Sequence, residues 1–128
     1  MSDPQLELSN DALLSTTRAV RKRLDFDRNV PMSAIKECME LAVQAPSGSN
    51  AQGWQFMFVT DAEKRAKIGE YYRQAFSLYR DMPFAIHKLN ADGSDPALSG
   101  SQERSASSAD YLADNMAKAP VLMIPCIE

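Results

Sequence analysis

Apolar positions along the chain follow two periods. Ile35, Cys38, Met39, Ala42 and Val43 fall at i, i+3, i+4, i+7 and i+8, which is one stripe of a helix. That helix starts at Pro31, where a proline is tolerated, turns Lys36, Glu37 and Glu40 away, and is stopped by Pro46. Ile68, Tyr72, Ala75, Phe76 and Tyr79 repeat the spacing in a longer helix running to about Arg80, with Thr60 and Glu63 forming a T-x-x-E capping box ahead of it. Between the two helices the stretch from Trp54 to Thr60 alternates as a strand. Trp54, Phe56 and Phe58 share one face, Met57 and Val59 the other, and both faces are expected to be largely buried.

The remaining elements are shorter. Ser9 or Asn10 can cap a brief helix holding Ala12, Leu13 and Leu14, with Asp11 at its positive end. Thr16 to Pro31 mixes β-branched and basic residues and reads as an ordered connector. Residues 90–108 are rich in Gly, Ser and Asp and are expected to form a mobile surface segment, with a helix starting near its end to carry Tyr111, Leu112 and Met116. Pro120 to Ile127 is an apolar run of strand length in which Pro125 weakens the last part. Two strands and about four helices predict an α+β fold with a sheet too thin to cover its own apolar faces. Residues 1–128 are therefore expected to form a single, incomplete domain.

Composition narrows the function. A formal charge of -3 and a pI near 5.2 give no electrostatic reason to bind nucleic acid or an anionic membrane surface. The stretch from Met1 to Leu8 lacks the basic and apolar regions of a secretory leader, and no run of apolar residues reaches membrane-spanning length, so a cytoplasmic protein is expected. Cys38 and Cys126 have no metal-like neighbours and are expected to be buried thiols, with no metal site.

Two polar segments can carry chemistry. In "RAVRKR", Arg18, Arg21, Lys22 and Arg23 precede an extended piece. Arg18 and Arg21 can both reach one dianionic group, because guanidinium forks grip phosphate oxygens in pairs. A solvated basic surface paired with Asp25 and Asp27 is the simpler alternative. In "QAPSGSNAQGWQF", Ser47, Ser49, Asn50 and Gln52 present hydroxyls, amides and backbone N–H groups, and Gly48 allows close approach, which suits a planar polar ligand. A helix-stop turn that needs no ligand is equally compatible with this pattern. Trp54 belongs to the core rather than to a stacking platform. Neither dinucleotide nor Walker phosphate-loop spacing occurs, "PSGSN" is not a nucleophile elbow, and His87 has no marked acidic neighbour in the sequence, so no catalytic side chain is assigned.

Taken in order, these two segments resemble the N-terminal half of the nitroreductase family of flavoproteins. The family pattern opens with R-[RS]-x-R and continues with P-S-[SG]-[ST]-N-x-Q-x-W-x-F, here "TRAVRKRL" and "APSGSNAQGWQF". The resemblance implies a nitroreductase-like FMN-binding fold that forms an intertwined homodimer with flavin at the interface. It implies Arg18 and Arg21 at the FMN phosphate and the polar edge of the ring, and Ala19 where the family often has a serine, leaving only a backbone contact. Pro46, Ser47, Ser49 and Asn50 would approach from the partner subunit, with Gln52 a weaker member of the set. NAD(P)H would reduce the flavin and be replaced by a nitroaromatic, quinone or enone-type acceptor in a ping-pong cycle. The alternative is a non-catalytic fragment, or a dimerisation or binding module, that keeps only the first half of the fold.

Overall fold

The computed structural model describes residues 7–89 and 91–127. Met1 to Leu6, Asn90 and Glu128, which enter the readings of the N-terminal stretch, of the 90–108 segment and of the chain's end, lie outside the described residues. Four helices and two strands follow in the order α1 (Asn10–Thr16), α2 (Met32–Ala42), β1 (Trp54–Val59), α3 (Ala62–Asp81), α4 (Pro96–Asn115) and β2 (Leu122–Ile127). Short 3-10 turns at Gly48–Asn50 and Met116–Lys118 precede the two strands. The architecture is mixed α+β, as the periodicity predicts.

β1 and β2 form a two-stranded antiparallel sheet in which Trp54 faces Ile127, Phe56 faces Pro125 and Val59 faces Leu122. Both strands are edges, which is where a proline without an N–H is tolerated. The expectation of two buried faces is wrong. Trp54, Phe56 and Phe58 are half-buried, but Gln55 and Met57 point to the open side, and β2 is exposed from Met123 onward. On that side only Val59, at the end of β1, is buried, so the second face is covered at one end and open along the rest.

The core is small. Ile35, Val59, Ala85 and Ala113 are the buried apolar residues, whereas Leu14, Leu41, Leu78 and Phe84 are exposed. Cys38 and Cys126 are also exposed, contrary to the buried thiols expected: the stripe of α2 is covered only around Ile35 and Met39, and Cys126 lies in the exposed part of β2.

α3 is the best-anchored element. Its N-cap is Asp61, whose carboxylate accepts from Lys64 N at 2.9 Å, so the cap lies one residue beyond the Thr60 expected. Tyr72 stacks on Phe76 with ring centroids 6.2 Å apart, and Phe76 meets Tyr79 at 5.8 Å, which confirms the aromatic stripe. The Tyr79 hydroxyl accepts from Ile86 N at 3.0 Å and folds the 82–89 turns back against the helix. Gly69 packs so closely on the Met116–Lys118 turn that a Cβ there would stand 2.8 Å from Ala117 Cβ.

α4 starts at Pro96, well before the end of the 90–108 stretch where a helix was expected. Asp95 caps it by accepting from Ala97 N, and Pro96 occupies the first turn, where its missing N–H costs nothing. The Ser side chains that suggested a loop bond back to the helix instead: Ser99 Oγ donates to Asp95 O at 3.1 Å and Ser108 Oγ to Ser105 O at 2.9 Å.

Candidate functional site

The first cations of the connector after α1 are held without carboxylates. Arg18 Nη1 donates to the carbonyls of Ser15 and Thr17 at 3.0 and 2.7 Å, which satisfies the C-terminal end of α1. Arg21 is half-buried, and its Nη1 donates to Ser108 Oγ at 3.4 Å; Lys22 Nζ donates to Ser107 Oγ at 2.7 Å. The run is thereby laid along α4 by two neutral hydroxyls. The expected pairing with Asp25 and Asp27 does not form. Asp25 instead lies 3.7 Å from Arg28 Nε and accepts from Asp27 N. Among the described residues none of Arg18, Arg21 and Lys22 is ion-paired, so their charge is available to an anion. Ala19 is exposed and brings no side-chain donor.

The loop after α2 is held by its own side chains. Pro46 precedes a half-buried Ser47 whose Oγ accepts from Gln52 N at 3.0 Å, while Gln52 Nε2 donates to Asn50 Oδ1 at 2.8 Å. Asn50 N and Ala51 N close the 3-10 turn onto Ser47 O and Gly48 O, both at 3.0 Å. Ser49, Asn50 and Gln52 all take left-handed backbone, with φ of 51°, 53° and 51°. Each non-glycine residue held there costs on the order of 1–3 kcal/mol, a cost that the surrounding hydrogen bonds must offset. Gly48 is not the strained residue. It has open space where a Cβ would project, so its backbone is approachable from that side.

Among the described residues no hydrogen bond joins the two segments, whose side chains bond elsewhere. What they offer is complementary in kind. One presents unpaired guanidinium and ammonium groups, and the other a fixed array of hydroxyls, a carboxamide and accessible backbone. Groups of these two kinds suit a ligand with a phosphate and a flat polar ring.

Several structural residues escape the sequence reading. Ser107 and Ser108, which seat the basic run, carry no motif. His87, which has no acidic neighbour in sequence, meets Asp110 from α4, with Nε2 2.9 Å from Oδ1, and Arg80 Nη1 reaches the same oxygen at 3.2 Å. The separation of 23 positions hides that contact from any local pattern. Resolved pKa shifts lie away from these segments. Glu70 is held below its ordinary value by the hydrogen bond and charge of Lys67, which is raised in turn, and Asp92 is lowered chiefly by the backbone N–H of Ser94.

Residues 14–126 match the Nitroreductase family, and the chain belongs to that family. It is also 39% identical over 83 residues to a 4-nitrobenzoate reductase of Nocardioides sp. (strain LMS-CY), a match covering 65% of this chain and 33% of that protein. The chain thus spans about a third of the relative's length. No solved structure matches it significantly. Among the described residues there is no group of metal-ligating side chains, and no helix is long and apolar enough to cross a membrane.

Proposed function

We propose that this chain supplies the N-terminal part of an FMN site in an NAD(P)H-dependent reductase of nitroaromatic, quinone or enone-type acceptors. The observation that supports the reading is the set of cations without ion pairs, Arg21 and Lys22 seated on the Ser108 and Ser107 hydroxyls and Arg18 on the end of α1, in a chain of the nitroreductase family. Arg21 is the anchor, being half-buried and already oriented by a neutral partner, so its fork can turn to a phosphate without breaking an ion pair. Arg18 adds a second guanidinium. Pro46, Ser47, Ser49 and Asn50, with Gln52 behind them, supply the ring-facing polar array from the second subunit of a homodimer, so that neither chain alone completes a site. Ala19 contributes only its backbone. When bound, FMN supplies the capacity to accept a hydride from NAD(P)H and pass electrons to the acceptor. The residues of this chain bind, orient and neutralise charge, and none of them is required as an acid or base.

Purification of the 128-residue chain with added FMN, followed by gel filtration, tests the proposal. Flavin absorbance should co-elute with a dimer, and Arg21→Ala should release it, with Arg21→Lys intermediate because the fork is lost. Elution free of flavin would instead support a second reading, a non-catalytic fragment or dimerisation module. That reading is favoured by the short span of the relative that the chain covers.

A further inference from the structure

Arg21 and Lys22 are neighbours in sequence, and in an extended chain their side chains would point to opposite sides. Here the backbone bends at Arg21 and turns at Lys22 and Arg23, and both cations come to one helix. They meet it in antiparallel order: Arg21 Nη1 donates to Ser108 Oγ at 3.4 Å, and Lys22 Nζ donates to Ser107 Oγ at 2.7 Å.

The seat is neutral. Ser108 Oγ gives its one hydrogen to Ser105 O at 2.9 Å, which leaves only its lone pairs to face Arg21. Asp110, two residues further along α4, lies on another side of the helix, where its Oδ1 meets His87 and Arg80. Among the described residues no carboxylate stands within ion-pair distance of Arg21 or Lys22. A carboxylate in that place would cancel the charge and compete with an incoming anion, whereas a hydroxyl orients the cation and leaves its charge intact. Arginine and lysine also have the most side-chain freedom to lose, and here part of that loss is met in folding rather than in binding.

We infer that Ser107 and Ser108 are positioning residues, which hold Lys22 and Arg21 ordered and unneutralised for a phosphate monoester dianion. This role rests on Arg21 meeting the FMN phosphate, as proposed for this chain, and it adds two serines of α4 that act on affinity through the cations.

The test follows binding to the full 128-residue chain, of inorganic phosphate by NMR at the Arg21 Nε–H, and of FMN and riboflavin by flavin fluorescence. Ser107→Ala and Ser108→Ala should each weaken phosphate and FMN by about threefold to tenfold, the worth of one hydrogen bond, and leave riboflavin unchanged. Alanine is the better helix former, so the unfolding temperature should hold or rise, unlike that of a variant that binds weakly because its fold is damaged. Ser107→Thr, at an exposed position, should bind as the parent does. Once Arg21 is replaced by alanine, Ser108→Ala should weaken binding no further. Phosphate and FMN binding at the parent level in both alanine variants would overturn the positioning role and leave the flavin reading standing; equal weakening of riboflavin would also overturn that role. FMN bound no more tightly than inorganic phosphate, with the serine dependence kept, would remove the flavin reading and leave the seat. A parent that binds neither phosphate nor FMN would overturn both.

Discussion

Arg65, in the first turns of α3, donates from Nη1 to the main-chain carbonyl of Ala117 at 3.2 Å, across 52 positions of sequence. The same nitrogen reaches Ala119 O, and Nε reaches Thr60 O at 3.2 Å, so one guanidinium ties the end of β1 to the entry of β2. Three carbonyls that no strand or helix satisfies are met at once. Arg65→Ala should lower stability by about 1–3 kcal/mol, read as a fall in the urea midpoint with little change in slope. Arg65→Lys should recover only part of the loss, because one ammonium cannot span the fork.

Gly69 should tolerate no side chain. An added Cβ would stand 2.8 Å from Ala117 Cβ and 3.1 Å from Ala117 N, and the backbone atom cannot swing aside. Gly69→Ala gains roughly 1 kcal/mol of helix propensity, yet the clash should outweigh it and leave a net loss of about 1–2 kcal/mol. Thermal unfolding of Gly69→Ala, alone and combined with Ala117→Gly, checks this. The second change should restore part of the midpoint.

Ser49 sits at φ 51°, ψ 23°, a conformation that glycine adopts freely. Ser49→Gly should therefore be neutral or stabilising by up to about 1 kcal/mol, and Ser49→Val destabilising by more than that. If the hydroxyl also meets the flavin as proposed, Ser49→Gly should weaken FMN binding even as the unfolding temperature holds or rises. Opposite signs in the two measurements would separate the loop's ligand role from its fold role.

Glu70 and Lys67 form an exposed pair, 2.8 Å apart, one turn along α3. The carboxyl is depressed, so whatever it adds to stability is present above its unfolded value and fades as pH falls through the folded one. Lys67→Ala should move the Glu70 titration midpoint upward, toward that of an ordinary glutamate, in an NMR pH series. Unfolding at neutral pH should hardly change, because solvent screens such a pair.

The long periodic elements were legible in the sequence. α2 and α3 lie where Ile35–Met39 and Ile68–Tyr79 place them, and β1 begins at Trp54 as its aromatic run predicts. The early start of α4 was not legible, since Gly, Ser and Asp favour loops on average. Here Asp95 and the Ser hydroxyls found acceptors and donors within a helix. The burial of β1 was misjudged for a related reason. Alternation tells which side chains share a face, but what covers that face is decided by elements far away in sequence. The two cofactor segments could be found from residue type alone. Their setting could not: the seat on Ser107 and Ser108, and the left-handed backbone at Ser49, Asn50 and Gln52, belong to three-dimensional contacts and backbone torsion.

The pairing of β1 with β2 has a kinetic consequence. Val59 and Leu122 are register partners, yet both α3 and α4 intervene between them along the chain. Closing so long a loop is entropically slow unless the two helices have first docked and shortened the effective path. The sheet should then be a late event, gaining its amide protection after α3 in pulsed hydrogen exchange. Until it closes, two apolar strands remain free to meet those of another chain. Refolding yield should consequently fall as protein concentration rises, more steeply in Arg65→Ala than in the parent.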